Sequence, residues 1–180
     1  MIKKIPTPIA GCYEIQPDVF KDNRGRFIKT FHQDFFQNIG LPKEFAEEYV
    51  STSRQGVLRG LHFQRPPHEH AKLIYCSFGE VLDVAVDIRR SSPTYGKFIT
   101  INLSADKGNM AYVATGCAHG FYTLSETAVI VCKQSTIYNA ESDACVRWDS
   151  FGIDWPNMNP ILSDKDKSSV PFNKFVSPFN

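Results

Sequence analysis

From residue 56 to residue 148 the chain is written in short apolar runs, each closed by turn-forming residues and each too brief to carry a core as a helix. That rhythm predicts strands over 56–63, 72–78, 80–89, 98–103, 109–113, 128–134 and 144–148. Gly79, Ser92-Pro93, Asp106-Lys107-Gly108 and Ser125-Glu126 punctuate them. The expected class is all-β, an antiparallel barrel with a few short helices. One helix is predicted within 31–39, where Phe31, Phe35 and Ile39 recur at helical spacing before Gly40 and Pro42 end it. From about 157 onward Pro, Ser, Asp and Asn dominate, which reads as an irregular tail packed on the barrel within a single domain spanning 1–180.

A chain of 180 residues buries a sizeable core without metal or disulfide support. Twenty Lys and Arg stand against 19 Asp and Glu, a net charge of +1, so no global field draws nucleic acid or a membrane surface. An anionic partner has to be held by a local pocket. Met1-Ile2-Lys3-Lys4 runs into Pro6 and Pro8 rather than an apolar leader, and no apolar span is long enough to cross a bilayer. Cys12, Cys76, Cys117, Cys132 and Cys145 are odd in number and unpatterned in spacing. They read as reduced, mostly buried thiols of a cytoplasmic protein rather than a disulfide framework or zinc knuckle.

The 80–89 run sets Leu82, Val84, Val86 and Ile88 on one face and Val81, Asp83, Ala85 and Asp87 on the other. Alternation alone leaves open whether the second face lines a ligand-holding interior or meets solvent.

Three segments set polar groups inside apolar strands: Arg59-Gly60-Leu61-His62-Phe63-Gln64, Ala71-Lys72-Leu73 and Ala118-His119-Gly120-Phe121. Two histidines, a lysine and an arginine on neighbouring strands are costly to bury singly and together suggest a pocket. Such a pocket suits phosphate, and a lysine beside a carbonyl oxygen stabilises an enolate. Arg59 and His62 have opposite strand parity; a bulge at Gly60 is one resolution. A metal held by His62, His68, His70 or His119 is the rival reading. Against it, His68-Glu69-His70 follows Arg65-Pro66-Pro67 as an exposed loop, and Arg59 and Lys72 repel a cation. No metal is expected.

At these segments the chain resembles the dTDP-4-dehydrorhamnose 3,5-epimerase family. The ordered matches are Asp22-Asn23-Arg24-Gly25-Arg26-Phe27, the three segments above with Gly56-Val57-Leu58 before the first, and the run from Asp83 to Arg89. Ser92-Pro93-Thr94-Tyr95-Gly96, Ile153-Asp154-Trp155-Pro156 and Leu162-Ser163-Asp164-Lys165-Asp166 complete them. The resemblance implies a cupin-like barrel (double-stranded β-helix, jelly roll), usually a homodimer. It implies an enzyme without metal or cofactor, acting on a nucleotide-linked 4-keto-6-deoxy sugar in rhamnose-like deoxysugar biosynthesis for surface polysaccharide. Carried over by motif, His62 would be the base beside the ketone, held by Asp166, and Lys72 would stabilise the enolate at C4. Arg24, Arg59, His119 and Lys165 would contact the diphosphate and sugar, with Phe27, Gln64, Asp83 and Tyr138 as further substrate contacts.

Two departures stand out. The family's acid tyrosine aligns with Cys132, leaving Cys132 itself, Tyr138 or water as donor, and raising inversion of a single centre. Lys29 replaces a glutamate after the Arg-Gly, and Glu47 and Tyr49 stand where glutamine and asparagine are typical. Lys29 with Glu47 would match cytosine better than thymine, guanine also fits, or Lys29 is idle. A CDP- or GDP-linked substrate, a 3,4-ketoisomerase and a non-catalytic sugar-nucleotide-binding barrel are the alternatives.

Overall fold

The computed structural model describes residues 2–180. Its N-terminal strands are β1 (Lys3–Pro6), β2 (Tyr13–Gln16), β3 (Val19–Asp22) and β4 (Gly25–Ile28), followed by helix α1 (Gln33–Asn38). The body comprises β5 (Glu47–Arg54), β6 (Leu58–Gln64), β7 (Lys72–Phe78), β8 (Glu80–Asp87), β9 (Phe98–Ser104), β10 (Met110–Val113), β11 (Cys117–Thr123), β12 (Thr127–Gln134) and β13 (Asp143–Cys145). One sheet runs β1-β2-β10-β7-β12-β5 and a second β13-β6-β11-β8-β9, while β3 and β4 form a separate hairpin. From β5 onward the chain crosses back and forth between the two sheets, as a cupin-like jelly roll requires.

Strand parity sorts the core. Ile74 and Cys76 of β7, Ala128, Ile130 and Cys132 of β12, and Val81 and Ala85 of β8 form one apolar cluster between the sheets. The other face of β8 presents Val84, Val86 and Ile88 to a cluster containing Trp148, Trp155 and Phe179 from the C-terminal region. The five-stranded sheet is therefore buried on both faces, and neither face of β8 meets solvent: Asp83 and Asp87 are 2% and 0% exposed. Asp87 accepts hydrogen bonds from Arg89 Nε (2.9 Å), Ser92 Oγ and Thr94 Oγ1 (both 2.6 Å). Burial pushes its carboxyl up, but these donors outweigh it and hold the pKa at about 2. Asp87 thus fastens the loop that follows β8.

The helix is shorter than its sequence stripe. Phe36, rather than Phe35, is its buried residue: Phe36 packs with Ile15, Leu73 and Met110 outside the six-stranded sheet, while Phe35 stays exposed. A helix of six residues points too few side chains inward for a long stripe to form. The tail forms parallel bridges from Ile161 to Val57, Val170 to Val146 and Phe179 to Arg89. Within it lies α2 (Asp164–Lys167), capped by Ser163, whose hydroxyl accepts the Asp166 N–H at 3.1 Å.

Between β6 and β11, His62 faces His119 and Arg59 faces Phe121, so three steps on β6 oppose two on β11. This bulge puts Arg59 and His62 at inward positions and resolves their parity conflict. Gly60 makes it sterically feasible: its φ is +139°, and a Cβ there would stand 2.6 Å from Gly120 Cα. Gly60→Ala is expected to destabilise the fold by about 1–3 kcal/mol through overpacking, read as a lower urea midpoint.

Candidate active site

At one end of the barrel a cleft of about 280 Å³ opens between the sheets, with His62, Gln64, His70, Lys72, Tyr138 and Lys165 in its lining. The walls come from opposite sheets. His62 belongs to the five-stranded sheet, while Lys72, Gln134, Glu47 and Tyr49 belong to the six-stranded one.

His62 Nε2 lies 2.5 Å from Asp166 Oδ1. The Asp166 side chain is 2% exposed, and its second oxygen accepts a bond from Ser163 Oγ at 2.8 Å. Burial pushes the Asp166 carboxyl up, but the His62 and Ser163 bonds outweigh it, so its pKa falls below the usual carboxylate value. An ionised Asp166 fixes the ring's orientation and leaves Nδ1 as the nitrogen for proton transfer. A carboxylate from the tail thereby completes a group carried by the barrel.

Lys72 points inward from β7 and is 5% exposed. Burial drives its ammonium below the usual lysine pKa, opposed by the charges of Cys132, Asp143 and Asp83. His70, placed by the sequence in an exposed loop, is instead 8% exposed and lines the cleft, with neither ring nitrogen hydrogen-bonded. Burial, with Lys72 and His119 nearby, lowers its pKa to about 3. Three of the four candidate metal histidines are committed to other partners: His62 to Asp166, His119 to Asp83, and His68 to Ser142 Oγ at 2.9 Å.

Other expected site residues are arranged differently. Gln64 lines the cleft, but its amide is committed to the loops: it donates to His68 O at 2.6 Å and accepts from Asn139 N at 2.6 Å. Lys165 pairs with Asp143, and Tyr138 Oη lies 3.4 Å from the same carboxylate. His119 and Asp83, 2.7 Å apart, are buried, His119 directly across from His62 on the neighbouring strand. Arg59 turns to β5, donating to Ser53 Oγ at 3.0 Å. Cys132 is 1% exposed and lies beneath the cleft, because a thiol is too short to reach the wall. Arg24 and Phe27 sit on the exposed β3–β4 hairpin, and Lys29 lines a separate groove, so within one chain Lys29 and Glu47 do not meet. Glu47 instead accepts the Tyr138 N–H at 2.6 Å. Tyr49, Gln134 and Asp143, which the sequence did not place in the cleft, line it. Reading β5 as a strand would have revealed Tyr49 directly across from Cys132.

Residues 6–174 match the family model described as dTDP-4-dehydrorhamnose 3,5-epimerase. The chain belongs to the dTDP-4-dehydrorhamnose 3,5-epimerase family. It is accordingly an isomerase. A dTDP-4-dehydrorhamnose 3,5-epimerase of Shigella flexneri is 43% identical over 171 residues, covering 93% of this chain and 94% of its own. A 3,5-epimerase from Legionella pneumophila, solved in complex with dTDP-4-keto-L-rhamnose, superposes with a TM-score of 0.93 at 34% identity, covering 98% of this chain and 95% of its own. A 3'-monoepimerase from Streptomyces bikiniensis, solved with dTDP-quinovose, gives 0.87 at 32% identity, covering 93% and 86%. The family thus includes members named for one centre and for two.

The pKa of about 3 at His70 carries a pH signature. Below about pH 6.5 an unfolded chain protonates this histidine, whereas the folded chain does not until about pH 3. Stability therefore falls as pH drops through that window, by at most about 1.4 kcal/mol per pH unit from this group. His70→Gln is expected to flatten that slope in urea titrations taken between pH 6.5 and 4.

Proposed function

We propose that the chain epimerises a dTDP-linked 4-keto-6-deoxy sugar at C3, C5 or both, with His62 as base, Asp166 as its orienting partner and Lys72 as the enolate stabiliser. The observation that carries this is one cleft whose wall from one sheet presents the His62–Asp166 pair and whose wall from the other presents a buried ammonium. A ketone at C4 acidifies the hydrogens on C3 and C5. His62 Nδ1 removes one of them, and the electron pair moves onto O4 beside Lys72. No electron leaves the substrate, so the chemistry calls for no redox partner. Lys165 and Tyr138 at the rim are placed to meet the sugar and diphosphate.

The cleft, at about 280 Å³, accommodates a sugar rather than a whole sugar nucleotide. The nucleotide extends beyond it, where a second copy of the chain completes the site. Three features support a homodimer: Phe20 and Phe27 are 59% and 62% exposed on the hairpin, β5 is an unpaired sheet edge with Val50 exposed, and Arg24, Phe27 and Lys29 lie outside their own cleft. A partner receiving the hairpin covers the apolar rings and brings those three residues to the nucleotide. Thymine is the base assigned, in keeping with the names of the relatives. The enzyme works in the cytoplasm, a setting suited to its five free cysteines. Among the described residues no helix is long and apolar enough to cross a membrane.

His62→Asn is expected to slow solvent deuterium incorporation at C3 and C5 by about 10²–10⁴-fold while dTDP still binds. Full exchange in that variant would point to another base, and no exchange in the wild type to a binding barrel. Proton NMR of the wild-type product is expected to keep the carbonyl at C4; migration to C3 would establish the ketoisomerase instead. Turnover of CDP- or GDP-linked substrate above that of the dTDP-linked one would refute the assigned base. For assembly, Phe27→Asp is expected to shift sedimentation from dimer to monomer and to raise KM more than it lowers kcat.

A further inference from the structure

Resting on the epimerase reading above, we propose that the Tyr49 phenol is the acid that delivers the new proton, taking over on strand β5 the position that Cys132 vacates on strand β12.

The ladder makes the exchange geometrically simple. Tyr49 and Cys132 are direct partners between β5 and β12, so their side chains leave the same face of the sheet. Directly opposed residues hold their Cβ atoms about 4.5–5.5 Å apart, a displacement that the length of a phenol absorbs. Volume follows the same logic. The resemblance implies an asparagine at position 49 and a tyrosine at 132, whereas this chain has a tyrosine at 49 and a cysteine at 132. Large and small are exchanged across one pair, which keeps the layer filled.

The contacts agree. Cys132 lies below the cleft and Tyr49 lines it, and the phenol approaches the Cys132 thiol and the Gln134 amide closely enough for both to act on its ionisation. Tyr49 remains 39% exposed, leaving solvent a route to reload it. Burial of the hydroxyl raises its pKa above the ordinary tyrosine value, so the group enters each turnover carrying its proton.

Most important is the side from which it acts. His62 stands on the five-stranded sheet and Tyr49 on the six-stranded one, so base and acid meet a sugar in the cleft from opposite walls, as inversion demands. Tyr138 is the competing phenol. Its oxygen lies 3.4 Å from the Asp143 carboxylate, it is 53% exposed, and it belongs to the loop after β12 rather than to a wall.

The step balances without another reagent. His62 takes H⁺ from the carbon and the C–H pair becomes the enolate. The C4–O4 double bond then re-forms as the enolate carbon takes H⁺ from the Tyr49 O–H on the opposite face. The resulting phenolate regains a proton from water, and His62 returns its own to water.

The test uses the intact protein with dTDP-4-keto-6-deoxyglucose in deuterated water, scoring exchange and inversion separately by NMR. Tyr49→Phe is expected to lose inversion by about 10²-fold or more while deuterium still enters with retained configuration, because His62 returns a deuteron to the face it came from. Tyr49→Asn is expected to behave likewise, and the double variant Tyr49→Asn/Cys132→Tyr to regain inversion. Thermal unfolding and dTDP affinity near the wild-type values would exclude a merely structural loss. Inversion surviving Tyr49→Phe but lost in Tyr138→Phe or Cys132→Ala would overturn the assignment. Absence of both exchange and inversion in the wild type would instead sink the epimerase reading on which it rests.

Discussion

The site depends on a change of step between two strands. Because three residues of β6 pass two of β11, the face that carries Arg59 also carries His62, and the imidazole enters the space between the sheets. The backbones can approach that closely because glycine stands on both strands, at Gly60 and Gly120. In an unbroken ladder an inward Arg59 would send His62 into the outer apolar layer with Trp148 and Trp155, where no carboxylate or substrate awaits it. The His62–Asp166 pair and the cleft it serves follow from this local irregularity.

The charged interior is affordable because few of its groups are ionised alone. Asp166 is paired with His62, and Asp87 is surrounded by donors. His70 and His119 are driven toward neutrality, both chiefly by burial. Lys72 is the conspicuous cation, held below the usual lysine pKa chiefly by burial; in the mechanism proposed above, that desolvation is what favours a developing oxyanion nearby. His62 on the five-stranded sheet, with Asp166 behind it on the tail, and Lys72 on the six-stranded sheet therefore carry their charges on opposite walls of the cleft.

Much of this was legible in the sequence, and what was not has identifiable causes. The strands β6 to β10 and β12 announce themselves through their short apolar runs, β11 only through the segment around His119, and His62, Lys72 and Asp166 through the motifs that hold them. Glu47–Arg54 escaped because its inward positions, Glu47, Tyr49, Ser51 and Ser53, are polar or amphipathic, so a strand lining a cleft lacks the apolar period of one lining a core. His70 was misplaced because Arg65-Pro66-Pro67 reads as solvent-exposed up to the first residue of β7, whereas the chain dives inward before it. Phe35 and Phe36 were interchanged because a helix so short has no periodicity to separate neighbours. Cys132 illustrates a different limit: alignment identifies the position, but side-chain length decides whether that position reaches the cavity.

The Asp166 carboxylate has a temporal consequence as well as a spatial one. It lies 104 residues after the imidazole it steers, on a tail that closes over the barrel by isolated bridges rather than by joining either sheet. The pair forms only once the tail has docked, and the same docking brings Trp155 and Phe179 over the outer face of the five-stranded sheet. A set tautomer and a covered core therefore arrive together.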